Sequence, residues 1–515
     1  MKKFLLICIA LLLALVIGGF LFIHFYINGE RVSQLINEQL DNQFEVAIIK
    51  ASPKIFSRSI KLEGVLVEVT GDEAEERIFE ADAIELNGLK LRKLFRGEMV
   101  LKSVNIENYF VDLTKLPNGD DTDKQDEEPS DFTFLTNSLN FAGGEIHFPA
   151  ADGFGEMTGL DLRTGKMNYR PGCTDCEDPF IVDEIHIELS EVWFSFWDER
   201  YRFEGTSILI SETDSLFEAA NLSLNPVLSE EQFFQSLEYR TDMFRVNLSG
   251  FTLNQFDLNG LIHSDRLKAA YVSADSLDLH VSLDKRVPED PDSVNPPLPL
   301  EALNNLSISV DMDSVRVHHA DIRYSEYDEK GVRPGTILFA GTNAIISPVK
   351  SNDESPMVLN AFSLLEGSGE LNVTIKLRME NGTSETDVKG SLGAFDVTNL
   401  NNILNDLEGI NIDSGTIREI SFEYTMREER AEGWIDVHYD DLSMELIDRD
   451  DHEQGFRDRI GSFLMDQIAV REDSRNNGED FRRGEISEER EPEKGFFNYL
   501  WISLRSGIMD AVRRI

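Results

Sequence analysis

One pattern governs what this chain can fold into. Two apolar residues alternate with polar ones, a Gly or polar residue intervenes, and the alternation resumes one place out of phase. It reads Ile60-Leu62-Gly64-Val65-Val67-Val69, Ile84-Leu86-Gly88-Leu89-Leu91 and Val104-Ile106-Asn108-Tyr109-Val111-Leu113. It returns as Leu139-Phe141-Gly143-Gly144-Ile146-Phe148, Val246-Leu248-Gly250-Phe251-Leu253 and Val315-Val317-His319-Ala320-Ile322-Tyr324. A period of two is the signature of a strand with one buried face. In a flat strand the slip would send the second half's apolar side chains to the opposite face. A β-bulge absorbs the extra residue, returns both halves to one face and bends the strand. A two-residue hairpin is the competing reading, since Asn87-Gly88 is a good turn pair, but arms of two apolar residues are short for hairpins. The fold expected is mainly β: a curved antiparallel sheet with one continuous apolar face, an N-terminal transmembrane helix and a few amphipathic helices.

The first residues set the compartment. Lys2 and Lys3 precede an uncharged run from Phe4 to Gly29, apolar through Ile27. As a helix, Phe4 to Ile27 reaches about 36 Å, enough for a hydrocarbon core of about 30 Å. The run continues through Phe20-Leu21-Phe22-Ile23 without the small-x-small site of a cleaved signal. The expectation is a retained single-pass anchor with the bulk of the chain exported, because the lysines hold the N-terminus inside. Charge supports an exposed body: 95 acidic against 49 basic side chains, a formal −46. Such a surface repels nucleic acid, whose phosphates need Lys and Arg clusters.

Beyond the anchor (1–29), Val32, Leu35, Ile36 and Leu40 recur at helical spacing, predicting a short amphipathic helix over 31–42 that opens a β module spanning 30–116. Residues 117–131 carry seven acids and one lysine and read as an acidic linker. A central β module follows over 132–287. Five prolines in the twelve residues 288–299 mark a second linker. A third β module covers 300–447, with a short capped helix over 396–408. The last span, 448–515, is a charged segment followed by a C-terminal amphipathic helix. Its apolar face is read as Phe497, Trp501, Leu504, Ile508, Ala511 and Ile515, lying on membrane or protein.

Motifs that would carry chemistry are absent or incomplete. Cys173 and Cys176 form a C-x-x-C pair in a Pro/Gly-bounded loop. Haem attachment needs a His where Glu177 stands, zinc needs two further ligands, and a redox pair should open a helix. A small loop disulfide in an oxidising compartment is the expectation. Gly153-x-Gly155 with Gly159 misses the dinucleotide spacing. Gly159 to Gly165-Lys166 misses the phosphate-loop spacing and continues with Met167. His147, His186 and His280 alternate with apolar neighbours and are expected to face water; His318-His319 is read as a solvated strand edge. No catalytic residue, cofactor or metal site is expected.

The stretches "ASPKIFSRSIKLEGVLVEV" and "ADAIELNGLKLRKLFRGEMVLKSVNIENYFVDL" resemble the N-terminal region of AsmA-like proteins, the broad superfamily that includes TamB and YhdP. "SVRVHHADIRY" and "GAFDVTNLNNILNDLEGINIDSGTIREISFEY … GWIDVHYDDLSMEL" resemble the C-terminal region of that family. The resemblance covers most of residues 1–447. It implies a Gram-negative inner-membrane anchor, a periplasmic body, and a hydrophobic β-groove moving phospholipid toward the outer membrane. It offers no catalytic residues. On that reading Val65, Val67, Leu89, Leu91, Val111 and Leu113 line the groove. The alternative is a non-catalytic envelope scaffold or assembly factor whose apolar face is a closed core, with protein partners.

Overall fold

The computed structural model describes residues 29–37, 44–54, 57–70, 75–90, 93, 98–116, 133–151, 153–170, 180–292, 295–380, 383–446, 474, 482–492 and 494–512. The run Phe4 to Ile27, the stretch 117–131, Cys173, Cys176, Leu91 and Ile515 lie outside these residues. No described helix is long and apolar enough to cross a membrane. The chain divides into two units, Met1–Leu222 and Ser223–Ile515, a division that falls inside the span read as one central module.

The first unit opens with α1 (Gly29–Asn37), then β1 (Phe44–Lys54), β2 (Ser59–Thr70), β3 (Glu75–Asn87), β4 (Glu98–Val100) and β5 (Ser103–Asp112). β6 (Thr133–Thr136), β7 (Leu139–Ala150), β8 (Gly153–Thr164), β9 (Met167–Tyr169), β10 (Phe180–Val182), β11 (His186–Phe196) and β12 (Tyr201–Ser211) follow. Pairing runs β1-β2-β3-β5-β7-β8-β11-β12. Every pair is antiparallel except β5 with β7, so the antiparallel expectation is corrected to a mixed, curved sheet. Parallel neighbours need a crossover. Here the chain leaves β5 and builds β6 before re-entering at β7. β4, β6, β9 and β10 form a separate four-stranded sheet.

β13 (Leu216–Pro226) crosses the division. The second unit continues with α2 (Glu230–Gln235), β14 (Met243–Asn254), α3 (Leu258–Ser264), β15 (Arg266–Ala274), β16 (Ser276–Asp284) and α4 (Pro299–Asn304). Next come β17 (Ser309–Tyr327), β18 (Gly335–Ser347), β19 (Val349–Lys350), β20 (Met357–Leu365), β21 (Gly369–Glu380), β22 (Thr383–Leu392) and β23 (Phe395–Asp396). β24 (Ile410–Met426), β25 (Arg430–Leu446), β26 (Gly484–Glu489) and α5 (Phe496–Val512) complete it. β15 and β16 act as one long strand: both pair parallel with β17 in a single register and antiparallel with β14. From β17 onward the order is β18, β20, β21, β22, β24, β25, β26, all antiparallel. The stretch 397–408 is helical, and Asp396 caps it by accepting the Thr398 N–H at 3.0 Å. Part of the Pro-rich stretch is held down: Arg240 Nη1 donates to Glu289 Oε1 at 2.9 Å, and Arg490 Nη2 to the Pro296 carbonyl at 2.9 Å.

The slipped repeats are positive-φ kinks in five of six copies rather than the expected bulges. The pairing keeps one register across Gly64, Asn108 and Gly250, and around Gly143 and His319 it shifts and returns. The neighbouring strands therefore slip together, and no extra residue is absorbed. Gly64, Asn108, Gly143, Gly250 and His319 sit inside continuous strands with φ of 63°, 48°, 66°, 60° and 51°. Both halves reach one face: Leu62 and Val65 are buried in the same core, as are Ile106 and Val111. The Gly88 copy differs. β3 ends at Asn87, and the Leu89 N–H donates to the Arg58 carbonyl at 3.1 Å as the chain leaves the sheet.

In the first unit the kinks line up across the sheet, strand by strand. Gly64 lies opposite Asp82, which accepts from Asn108 Nδ2 at 2.7 Å. Asn108 abuts Gly143, whose N–H donates to Asp161 Oδ1 at 2.7 Å. Gly159 on β8 (φ 64°) and Ser207 on β12 (φ 49°) continue the row. The second unit repeats the device: Gly341 (φ 56°) donates its N–H to Asp321 Oδ1 at 2.8 Å, beside His319. An aspartate on the neighbouring strand thus takes an amide that the positive-φ kink withdraws from the ladder.

Candidate functional site

The six residues expected to line a groove fall in the first unit, and the structure places them in a closed core. Val65, Val67, Leu89 and Val111 are 0%, 2%, 6% and 3% exposed. Leu113 packs, partly buried, against the same core, and Leu91 lies outside the described residues. The small second sheet supplies the cover: Met99 of β4, Phe134 of β6 and Met167 of β9 are buried in that core, and Phe180 and Val182 of β10 pack on it. These positions therefore offer no open surface.

A separate apolar face lies in the second unit. In the second unit, strand register puts Val246 and Leu248 (β14) beside Leu279 and Leu277 (β16). Those lie beside Ile322 and Ala320 (β17). Along β17, Val315 and Val317 pair with Ile346 and Ala344 of β18, which pair with Leu359 and Ala361 of β20. Val246, Leu248, Leu277, Leu279, Val315, Val317, Ile322, Ala344 and Ile346 are each half-buried. None belongs to either buried core. Among the described residues, no second layer closes over them.

Toward the C-terminus the same face is sealed. Ile375, Val388, Phe422 and Ile435 carry it through β21, β22, β24 and β25 into a buried core. α5 covers that end through only part of the face read from the sequence: Leu504, Ile508 and Ala511 pack on the core and Phe497 and Trp501 do not. Tyr499, Ile502, Ser503, Gly507, Ala511 and Val512 are buried, Leu504 and Ile508 pack partly, and Phe497 and Trp501 stand 81% and 42% exposed. Close approach decides the docking side: a Cβ on Gly507 would sit 2.5 Å from Ile486 Cγ1. The two large aromatics are therefore left on the outer side of the helix.

At one edge of the uncovered face lies a polar cluster without a sequence signature. Tyr324 donates to Glu326 Oε2 at 2.5 Å, and Lys285 Nζ pairs with Glu326 Oε1 at 2.5 Å. Burial, then the Glu326 charge, pushes the Asp242 carboxyl above its ordinary range; the same two causes push the Tyr324 phenol up. On the polar face His280 Nε2 lies 2.9 Å from Ser325 Oγ and 3.1 Å from Ser282 Oγ. Both serines are buried (0% for Ser282, 4% for Ser325), and His280 is half-buried. His318 and His319 join no group at metal-ligand distances among the described residues; Glu145, His147 and Glu156 do.

The aggregate chemistry of this site is apolar area bounded by paired charges, suited to holding a chain without hydrogen-bonding groups. No protein-family model, curated protein or solved structure matches this chain.

Proposed function

We propose that this is a membrane-anchored envelope protein of AsmA-like type. In this reading, the uncovered sheet face of its second unit binds the acyl chains of phospholipid and contributes to outer-membrane assembly. The observation that carries this reading is the row of half-buried Val, Leu and Ile side chains from β14 to β20. It continues a true core yet has no described layer over it. A contiguous apolar surface on an otherwise acidic protein marks an interaction site. Acyl chains fit it because they gain from leaving water and demand no polar partner. The closed core of the first unit fits the scaffold alternative for that part of the chain.

A photo-crosslinking residue at position 317 or 346, in protein made in cells and purified in detergent, tests the assignment. Adducts with phospholipid mass are expected at both positions and not at 323, on the opposite face. Adducts absent from 317 and 346, or equal at all three, defeat the reading; protein adducts there transfer it to the scaffold alternative.

A further inference from the structure

Glu145 and His147 stand two residues apart on β7, so both project from one face. Glu156 on β8 is the register partner of His147. One ligand atom from each of the three lies within 4.8 Å of the others, and His147 Nε2 is 3.1 Å from Glu145 Oε1. The imidazole is oriented from the far side: Phe110 meets it edge-on at 5.0 Å and 83°. Phe110 is in turn covered by the Arg77 guanidinium at 4.0 Å, and Arg77 spends its charge on Glu80 at 2.5 Å. Asp112, beside His147 on β5, is occupied as acceptor for the Thr114 N–H and hydroxyl at 3.0 and 2.5 Å. Glu156 has no hydrogen bond or ion pair among the described residues.

We propose that Glu145, His147 and Glu156 bind one divalent transition-metal ion, with zinc the best-fitting probe. Two carboxylate oxygens and one imidazole nitrogen form a mixed O/N set that suits zinc better than the all-oxygen preference of calcium or magnesium. Three protein ligands leave room for water. The ion would clip β7 to β8 on the face away from the core, and neutralise two carboxylates that neighbour strands leave without a cation. The inference is independent of lipid binding, because it concerns the polar face of the other unit.

The test is zinc titration of the chelator-stripped full-length protein in detergent, read by calorimetry and by the visible spectrum of a cobalt substitute. One equivalent is expected for the wild type and its loss in His147→Ala. Glu156→Gln keeps the side chain's shape and should lose it too, with an unchanged melting temperature. That second variant decides the matter if His147→Ala misfolds. His186→Ala, which removes a His paired only with Glu188 at 3.0 Å, should keep the equivalent. No saturable equivalent in the wild type overturns the site, as does uptake that survives both ligand substitutions.

Discussion

Replacing one valine in each unit by arginine separates a closed core from an open face. Val65 is fully buried, and its register partners Ile48 and Ala81 are buried with it. Val65→Arg removes about 1.5–3 kcal/mol of apolar burial. It also buries a guanidinium without a partner, which costs several kcal/mol more. Against a total stability of about 5–15 kcal/mol, the first unit should fail to fold. Val317 is half-buried on the uncovered face, so roughly half the burial term, about 1 kcal/mol, is lost. The long arginine stem can lie along the apolar surface with its head in water. The second unit should therefore stay folded.

Tryptophan fluorescence in urea reads the two units separately. Of the four tryptophans, Trp193 and Trp197 lie in the first unit and Trp434 and Trp501 in the second, so Phe substitutions in either pair isolate the other. Expected are an unfolded first unit in Val65→Arg and a midpoint shifted by about 1 kcal/mol or less in Val317→Arg. Collapse of the second unit in Val317→Arg refutes the reasoning, since it would mean that another layer covers that face. Tolerance of Val65→Arg would equally refute the closed core.

Three further outcomes follow from particular side chains. Gly143→Val should cost about 1–2 kcal/mol or more, because φ is 66° and the new Cβ would lie 2.9 Å from Asn108 Oδ1; thermal melting checks it. Tyr499→Ala and Ile502→Ala should each destabilise the second unit by about 2–5 kcal/mol, whereas Phe497→Ala should fall within about 0.5 kcal/mol; equal effects in urea would contradict the docking side. Burial pushes the Asp284 carboxyl up, but hydrogen bonds and charge from Arg286 outweigh it and hold it below the usual range, so its stabilisation is present above about pH 4 and lost as pH falls through the lowered value. Asp284→Asn should then flatten the acid limb of a stability–pH curve between about pH 4 and 2; an unchanged limb contradicts it.

The period-two signal was strong enough to place most strands and five slip positions, because a slip leaves both apolar arms visible. It misread them as bulges because one strand alone does not show that its neighbours slip at the same level. It passed over Gly159, where Gly155 occupies a face position before the slip. That glycine is needed: a Cβ there would meet the Phe148 ring at 2.5 Å. It also passed over the small sheet, whose strands run three or four residues and carry no measurable period. That omission is why Val65, Val67, Leu89 and Val111 read as groove-lining when Met99, Phe134 and Met167 close over them. Hydrophobicity likewise favoured Phe497 and Trp501 on α5, when the contact is made where Ser503 and Gly507 let the helix come close. In the polar cluster, Tyr324 and Glu326 are close in sequence, but Lys285 reaches Glu326 from another strand, and no local rule pairs those two.

The strand edges bear on which ligand the open face serves. An exposed edge invites another strand, and that would favour a peptide partner over lipid. In the first unit α1 occupies the edge of β1: the Ile48 N–H donates to Ser33 Oγ at 2.8 Å, and the Val46 N–H to Asn37 Oδ1 at 2.7 Å. Asn37 Nδ2 returns a bond to the Val46 carbonyl at 3.1 Å. In the second unit β26 covers only part of β25, and beyond it Ser474 takes over. It accepts the Tyr439 N–H on its hydroxyl at 2.8 Å and donates its own N–H to the Tyr439 carbonyl at 3.0 Å. Side chains thus spend the backbone groups that strand addition would use at these two edges. What the second unit leaves available is area without hydrogen-bonding capacity, and a peptide laid there would strand its own amides against Val317, Ile322 and Ile346. An acyl chain would not. The sealed edges and the uncovered face therefore both favour the acyl-chain reading proposed above over strand addition.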